Sequence, residues 1–474
     1  MTASIVVIGG GLGGLVSAYR LMQAGFAVTL VDAGDAPGGV IGTVREAGYL
    51  QERAASSFLG GPSDGGLALC QELGVAVAKA SPAAKRRWVY LDGKLQAIPH
   101  SPLAFARTEM LTWRGKLELL REPFRSPRQA TRSGDESVYE FAVRRLGAEA
   151  ARAFVAPMVT GIYAADAREV SLAAGFPTLA ALDADGGLLR GGVRRALAPL
   201  RRKLQRGDQS TAASATARSG AAPAPRTSRG LWAPVAGVGA LPAALAGALG
   251  ERVWTRARVA SVTRVDGKHR IALHDGRTLT ADAVVLAVHA SAACGLVQQA
   301  HPVLASKLSG FSRTPAALVY LGYPRSALPP ACHEGFGMLT ALGERVRVLG
   351  VVFESVVWPE RAPEGMALLR CIFGGGRDPS IADVSDAALQ QIAIADLQTI
   401  AGITAAPVHC AITRWAAGIP RIEVGHNDRV VAADAAARTA GFVLAGADYH
   451  GVSVNALCAD GARVVAAVRE LVAR

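Results

Sequence analysis

Metal-ligand and redox-dithiol spacings are missing from this chain of 474 residues. Its six cysteines (Cys70, Cys294, Cys332, Cys371, Cys410, Cys458) are scattered and never fall as C-x-x-C. That argues against a zinc site, a dithiol or a disulfide framework, and for reduced thiols packed as small hydrophobes. No uninterrupted apolar run of about 18 residues stands outside strand–helix units, so no transmembrane helix is expected. No basic and then apolar leader precedes the first strand, and a cytoplasmic protein is expected. Aromatic residues are scarce at 5%, and no zinc-finger or RNP-like run accompanies the net charge of +13. Nucleic acid therefore ranks last among partners, behind an anionic membrane or an acidic substrate. His289 and His301 have no Asp or Cys at the spacing of a triad or metal site, and His426 reads as a turn residue. No metal and no catalytic acid or base is expected. Length and apolar residues are what the chain has: 50% hydrophobic over 474 positions allows a large core shared by two or three domains, some discontinuous.

The strongest pattern lies in the first forty residues. Ser4 to Ile8 is a β-branched run that reads as a buried parallel strand. Gly9-x-Gly11-x-x-Gly14 follows: one glycine makes a tight turn, one lets a pyrophosphate approach the backbone, one lets the next helix pack on the strand. That helix would turn Leu15, Ala18, Leu21 and Met22 inward and stop at Gly25. Val28 to Val31 makes the second strand, and Asp32 ends it where an acid bonds a ribose hydroxyl. Together these place a dinucleotide over Gly9, Gly10, Gly11, Leu12, Gly13 and Gly14, with Asp32 and Ala33 at the ribose. NAD, NADP and FAD all fit. Gly38 and Gly39, followed by Val40, favour FAD, because a second glycine pair lets backbone run beside an elongated cofactor.

A helix is expected over Gly65 to Leu73, and a hairpin around Asp92-Gly93. Residues 103 to 155 change to helical period with basic residues interleaved. From Arg201 to Gly230 large apolar side chains almost vanish, which reads as a flexible basic linker. A second hairpin forms around Asp266-Gly267, and Leu279 to Val288 reads as a buried strand returning to the nucleotide domain. Alternating runs between 315 and 375 suggest an antiparallel sheet, the wall of a second domain. A helix over Asp386 to Ile400, a strand through Gly441 to Asp448 and a last helix near Leu471 close the chain.

Several later blocks are specific. Val159-Thr160-Gly161-Ile162-Tyr163-Ala164 with Ser171-Leu172, Phe176-Pro177, Gly187-Leu188-Leu189, Trp415 through Ile419-Pro420 to Gly425-His426, and Gly446 to Asn455 together resemble the protoporphyrinogen oxidase family of amine-oxidase-like flavoproteins, in its bacterial form. The resemblance spans nearly the whole chain. It implies an α/β fold: a discontinuous Rossmann-type FAD-binding domain (1–85, 231–295 and 411–474), an α+β substrate domain (296–410) and a helical, membrane-contacting insertion (86–200), with 201–230 as linker. It further implies FAD phosphates over Gly9 to Gly14, the backbone of Val259 beside the adenine, and Trp415 with Val452, Ser453 and Val454 bordering the isoalloxazine. A porphyrinogen would lie in an apolar slot at Gly161, Ile162, Phe336, Leu339 and Ile372. The implied reaction is FAD-dependent dehydrogenation of protoporphyrinogen IX to protoporphyrin IX in haem biosynthesis, with dioxygen as acceptor. Alternatives are coproporphyrinogen III oxidation to coproporphyrin III, or a porphyrin-binding paralogue with weakened catalysis. Peripheral contact with anionic membrane and a homodimer are further expectations.

Three departures stand out. The family has Gly-Pro after the acid matching Glu52, where this chain has Arg53-Ala54-Ala55-Ser56-Ser57; losing the glycine restricts φ and is expected to reposition the loop. His450-Gly451-Val452-Ser453 replaces a lysine-containing block, and His450 is a candidate for tuning the flavin. The animal and plant forms hold a substrate propionate with an arginine after the block matching Ile98-Pro99; here Arg107 is the candidate, with a solvated helix arginine as the alternative.

Overall fold

The computed structural model describes residues 2–61, 65–125, 134–191, 194 and 230–473. All but the last residue of the expected basic linker over 201–230 lies outside these.

Five strands form a parallel sheet in the order Val253–Trp254, Ala27–Val31, Ser4–Ile8, Ala283–Leu286, Phe442–Leu444. Both faces are covered, which is why these strands are unbroken apolar runs. Ile5, Val7, Leu30 and Val285 pack against the helices Leu12–Gln23 and Val454–Val472. Val6, Ile8, Val284 and Leu286 pack on the other side, beneath the helices Ala290–Val297 and His426–Ala440. The Asp266-Gly267 hairpin is present, with φ of +50° and +78° at its two turn residues. The single strand expected over Leu279 to Val288 is instead two, Thr278–Ala281 and Ala283–Leu286. Between them Asp282 accepts a hydrogen bond from the Ser4 amide at 2.8 Å, and the chain passes there from an antiparallel ribbon into the parallel sheet.

The second sheet has seven strands, in the order His409–Pro420, Arg313–Pro324, Met366–Gly374, Gly350–Phe353, Gly337–Thr340, Arg87–Leu91, Lys94–Ala97. The expected wall is therefore present but longer: the Asp92-Gly93 hairpin extends one edge, and Gly337–Thr340 pairs with it in parallel, not antiparallel. The boundary expected at 411 falls inside the His409–Pro420 strand. One face packs on the helix Asp386–Ala401. The other meets Tyr49 and the strand Tyr49–Glu52 of the nucleotide half. The insertion is helical as its period suggests, with Pro102–Arg107, Trp113–Leu120, Val138–Leu146 and Ala156–Tyr163. All six cysteines are free; Cys70, Cys332, Cys371 and Cys458 are buried as expected, whereas Cys294 and Cys410 are only half-buried.

Candidate functional site

The carboxyl ends of the parallel strands converge where strand order switches sides, the place where such sheets bind ligands. Gly9 has φ of +110°, its amide bonds the Val31 carbonyl, and the chain turns at once into the helix Leu12–Gln23. A side chain on Gly14 would sit 1.9 Å from the Gly9 carbonyl oxygen, so this glycine serves packing. Gly11 differs: a Cβ there meets no protein atom within 4 Å, although the residue caps the helix and no side chain caps it instead. Open space in front of uncapped helix amides is an anion site. Gly38 closes the other side, its amide bonding the Gly10 carbonyl at 2.7 Å, and Gly39 lies against Gly11. Asp32 accepts from the Gly10 amide at 2.5 Å and the Gly34 amide at 2.8 Å, leaving carboxylate lone pairs for sugar hydroxyls. The segment before Val259 runs alongside, with the Ala257 amide on the Asp32 carbonyl. Leu12 and Gly13 are buried on the helix, Ala33 is exposed and Val40 half-buried beside the turn. These residues fit a dinucleotide's pyrophosphate and ribose.

The turn at 446–453 comes up to the same place. Gly446 approaches Gly13, whose Cβ would lie 3.1 Å from the Gly446 Cα. Ser453 caps the helix Val454–Val472 by accepting from the Ala456 amide at 3.1 Å. Asn455 then ties the helix to residues 59–66, accepting from the Gly66 amide and donating to the Leu59 carbonyl. His450 Nε2 lies 3.5 Å from Asp434 on the helix His426–Ala440 and makes no hydrogen bond.

Trp415 faces the loop after Glu52. Its indole donates to the Arg53 carbonyl at 2.8 Å, and the Arg53 guanidinium lies over the ring at 4.8 Å. No residue from Arg53 to Ser57 has positive φ, so the missing glycine costs this loop no backbone strain. Behind it lies a buried quartet that sequence reading missed. Arg361 donates to Glu52 at 3.0 Å and to Glu354 at 2.7 Å, while Arg370 lies 3.3 Å from Glu354. Burial pushes the Glu52 carboxyl up, and Arg361, Thr43 and the Val238 amide pull it back.

Beside the loop, cross-strand register lines up Thr413, Leu318, Ile372, Gly350 and Leu339 on one face of the seven-stranded sheet. Gly161, on the helix Ala156–Tyr163, sits over the far end: a Cβ there would come within 2.8 Å of Leu339. Ile162 next to it is 55% exposed, an apolar side chain left open at this edge. Phe336 packs with Ile372 against Trp358 and Val352, its ring beneath Arg87. The expected slot residues therefore share one region, with Ile372 and Leu339 as floor and Gly161 and Ile162 as rim. Arg107 ends the exposed helix Pro102–Arg107. Among the described residues no cluster of metal-ligating side chains occurs.

Residues 12–469 match the family model described as flavin containing amine oxidoreductase. Human protoporphyrinogen oxidase is 30% identical over 503 residues, covering 99% of this chain and 98% of that protein. Coproporphyrinogen III oxidase of Bacillus subtilis (strain 168) is 27% identical over 468 residues, covering 95% and 94%. Among solved structures, one from Exiguobacterium sp. 255-15 is similar in fold, with TM-score 0.79, 23% identity and 99% of each chain covered. Cyclohexylamine oxidase from Brevibacterium oxydans IH-35A shares the fold at TM-score 0.70 and 16% identity, with 100% of each chain covered. When bound, FAD supplies the two-electron acceptor; the chain's own part is to hold it and orient what it oxidises. The glycine turn with Asp32 and the match over nearly the full length lead to one conclusion: the chain belongs to the flavin-containing amine oxidoreductase family and is an FAD-dependent enzyme.

Proposed function

We propose that this enzyme dehydrogenates protoporphyrinogen IX to protoporphyrin IX, with dioxygen as the final acceptor. The observation that carries the reading is the apolar floor of Leu318, Ile372, Gly350 and Leu339, beside the loop and Trp415 assigned to the isoalloxazine. A flat macrocycle with two vinyl groups gains from leaving water there, whereas an unpaired buried carboxylate is strongly disfavoured. Relatives named for protoporphyrinogen and coproporphyrinogen both align over nearly the whole chain, so they support a porphyrinogen without choosing one. No side chain on the floor is an acid or base. In this reading the chain orients the macrocycle and excludes competing reactions. Side-by-side kcat/KM on the two porphyrinogens tests the choice; faster turnover of coproporphyrinogen III overturns it.

The reading includes peripheral attachment to anionic membrane, supported by the insertion. Leu103, Trp113, Leu117, Leu120 and Phe124 are all exposed there, with Arg107, Arg114 and Arg121 among them. No helix among the described residues is long and apolar enough to cross a membrane.

A further inference from the structure

Four carbonyls of the loop from Glu52 to Ser56 are held by side chains, while its Arg53 amide bonds the Gly42 carbonyl at 2.7 Å. Tyr320 donates to the Glu52 carbonyl at 2.7 Å and accepts from the Glu52 amide at 2.9 Å. Trp415 holds the Arg53 carbonyl at 2.8 Å, Arg370 the Ala54 carbonyl at 3.0 Å, and Arg361 the Ser56 carbonyl at 3.0 Å. All four donors come from the substrate half of the molecule, from 268 to 362 residues along the chain. Tyr320 and Arg370 stand directly opposite each other on the sheet face that carries the slot, one side-chain row from Leu318 and Ile372. Their charges close within the cluster: two guanidinium groups against the carboxylates of Glu52 and Glu354, all four buried.

Such a cluster is a costly way to gain stability. Two buried cations need two buried anions, and apolar residues of the same volume commonly serve stability as well or better. What apolar residues cannot do is fix a carbonyl in place. A guanidinium presents several donors in a rigid plane, so Arg361 can serve two carboxylates and a carbonyl at once.

We propose that Tyr320, Arg361 and Arg370 are positioning residues for the flavin, acting through the loop 52–56, and that the Glu52–Arg361–Glu354–Arg370 quartet exists to hold their donors in register. Apart from the Arg53 amide on Gly42, the loop is held from behind by side chains of the seven-stranded sheet and of Arg361. The substrate half and the cofactor environment are thereby mechanically joined. The proposal rests on the isoalloxazine bordering this loop and Trp415, but not on the identity of the porphyrinogen.

The test uses the FAD-loaded enzyme and its apoprotein, with no substrate present. Tyr320→Phe removes one hydroxyl and leaves every charge intact, so it is the variant expected to fold. Arg370→Lys keeps the charge and loses the fork. Each should weaken FAD binding on the order of tenfold or more, the size of a lost buried hydrogen bond to this frame. Each should also shift the flavin's visible bands and reduction potential, Arg370→Lys further than Tyr320→Phe. Ala54→Trp, which crowds the loop's own surface, should perturb the same bands. If Ala54→Trp perturbs them while both other variants leave affinity, spectrum and potential at wild-type values, the quartet is merely structural and the proposal is overturned. If Ala54→Trp too is silent, the placement of the isoalloxazine fails, and the proposal with it.

Discussion

The indole of Trp415 and the backbone of Arg53 are bonded at 2.8 Å across 362 positions of sequence, with the Arg53 guanidinium laid over the ring at 4.8 Å. This pair joins the strand His409–Pro420 of the seven-stranded sheet to the loop that follows the strand Tyr49–Glu52. Trp415→Phe keeps a ring under the guanidinium and loses only the indole N–H. The expected stability loss is about 1 kcal/mol in denaturant unfolding. Trp415→Ala should also lower kcat/KM and change the flavin spectrum, because both the bond and the ring are gone.

The glycine turn gives two outcomes from one kind of substitution. Gly11→Val places its branch in open space, so the apoprotein should keep its wild-type thermal midpoint while purifying without flavin absorbance. Gly14→Val drives its Cβ into the Gly9 carbonyl and should fail to fold or melt many degrees lower. A yellow, FAD-saturable Gly11→Val protein would remove the pyrophosphate from this turn.

Two buried histidines set an acid limit on stability. Burial lowers both His269 and His426 to about 4, and neither Nδ1 has a hydrogen-bond partner. Between the unfolded value of 6.5 and the folded value near 4, the unfolded chain takes up the protons and the folded one does not. Their stabilising effect is thus fully present above pH 6.5 and declines as pH falls toward 4, by on the order of 3 kcal/mol for each histidine. His269 packs on Phe442 at 4.6 Å, so His269→Phe should flatten the pH dependence of unfolding by about one proton.

These contacts mark how far local pattern reaches. The strand–turn–helix around Gly9 to Gly14 and the Asp266-Gly267 hairpin were legible because every constraint on them lies within a few residues. The slot rests on a family resemblance, because Gly161, Leu339 and Ile372 lie far apart in sequence and become neighbours only through tertiary packing. Glu52 stood out as a departure point, but its partners Arg361 and Tyr320 lie 309 and 268 residues away and look like any surface arginine and strand tyrosine in sequence. The break at Asp282 was hidden for a related reason: an apolar run reads as one strand until a carboxylate bonded to Ser4 shows where it changes sheets. His450 was read from its own loop, whereas its proximity to Asp434 on the helix His426–Ala440 is a tertiary relation that local pattern does not carry.

The insertion should respond to lipid charge. Attraction of about 1 kcal/mol per basic residue near an anionic surface makes binding steep in salt. The protein should sediment with phosphatidylglycerol vesicles at low ionic strength and be released at high. Trp113 is 75% exposed and borders a groove with Phe105, Lys116 and Leu120, so Trp113→Asp together with Leu120→Asp should abolish sedimentation without changing solution kinetics. Equal sedimentation of variant and wild type would assign binding to another surface.

In the proposed reading, substrate choice turns on Ile372. It sits between Leu318 and Gly350 on the floor, half-buried, with Phe336 packed near it. The next side-chain row already holds one cation, Arg370, but that guanidinium is committed to Glu354 and the Ala54 carbonyl and offers nothing to a substrate carboxylate. Removing Ile372's branches loses apolar contact worth a few kcal/mol at most, so Ile372→Ala should lower kcat/KM for protoporphyrinogen IX by roughly 10- to 100-fold. Ile372→Arg makes the sharper test. Its stem can lie across the floor over Gly350, which has no side chain, placing a free guanidinium where a vinyl group would otherwise lie. A tetracarboxylate substrate then finds a partner, and a divinyl substrate loses its apolar seat. The ratio of kcat/KM should move toward coproporphyrinogen III, through KM more than kcat, in a variant whose flavin spectrum and thermal midpoint stay near wild type. If the ratio is unmoved in such a folded, FAD-loaded variant, the macrocycle does not rest on this row of the sheet.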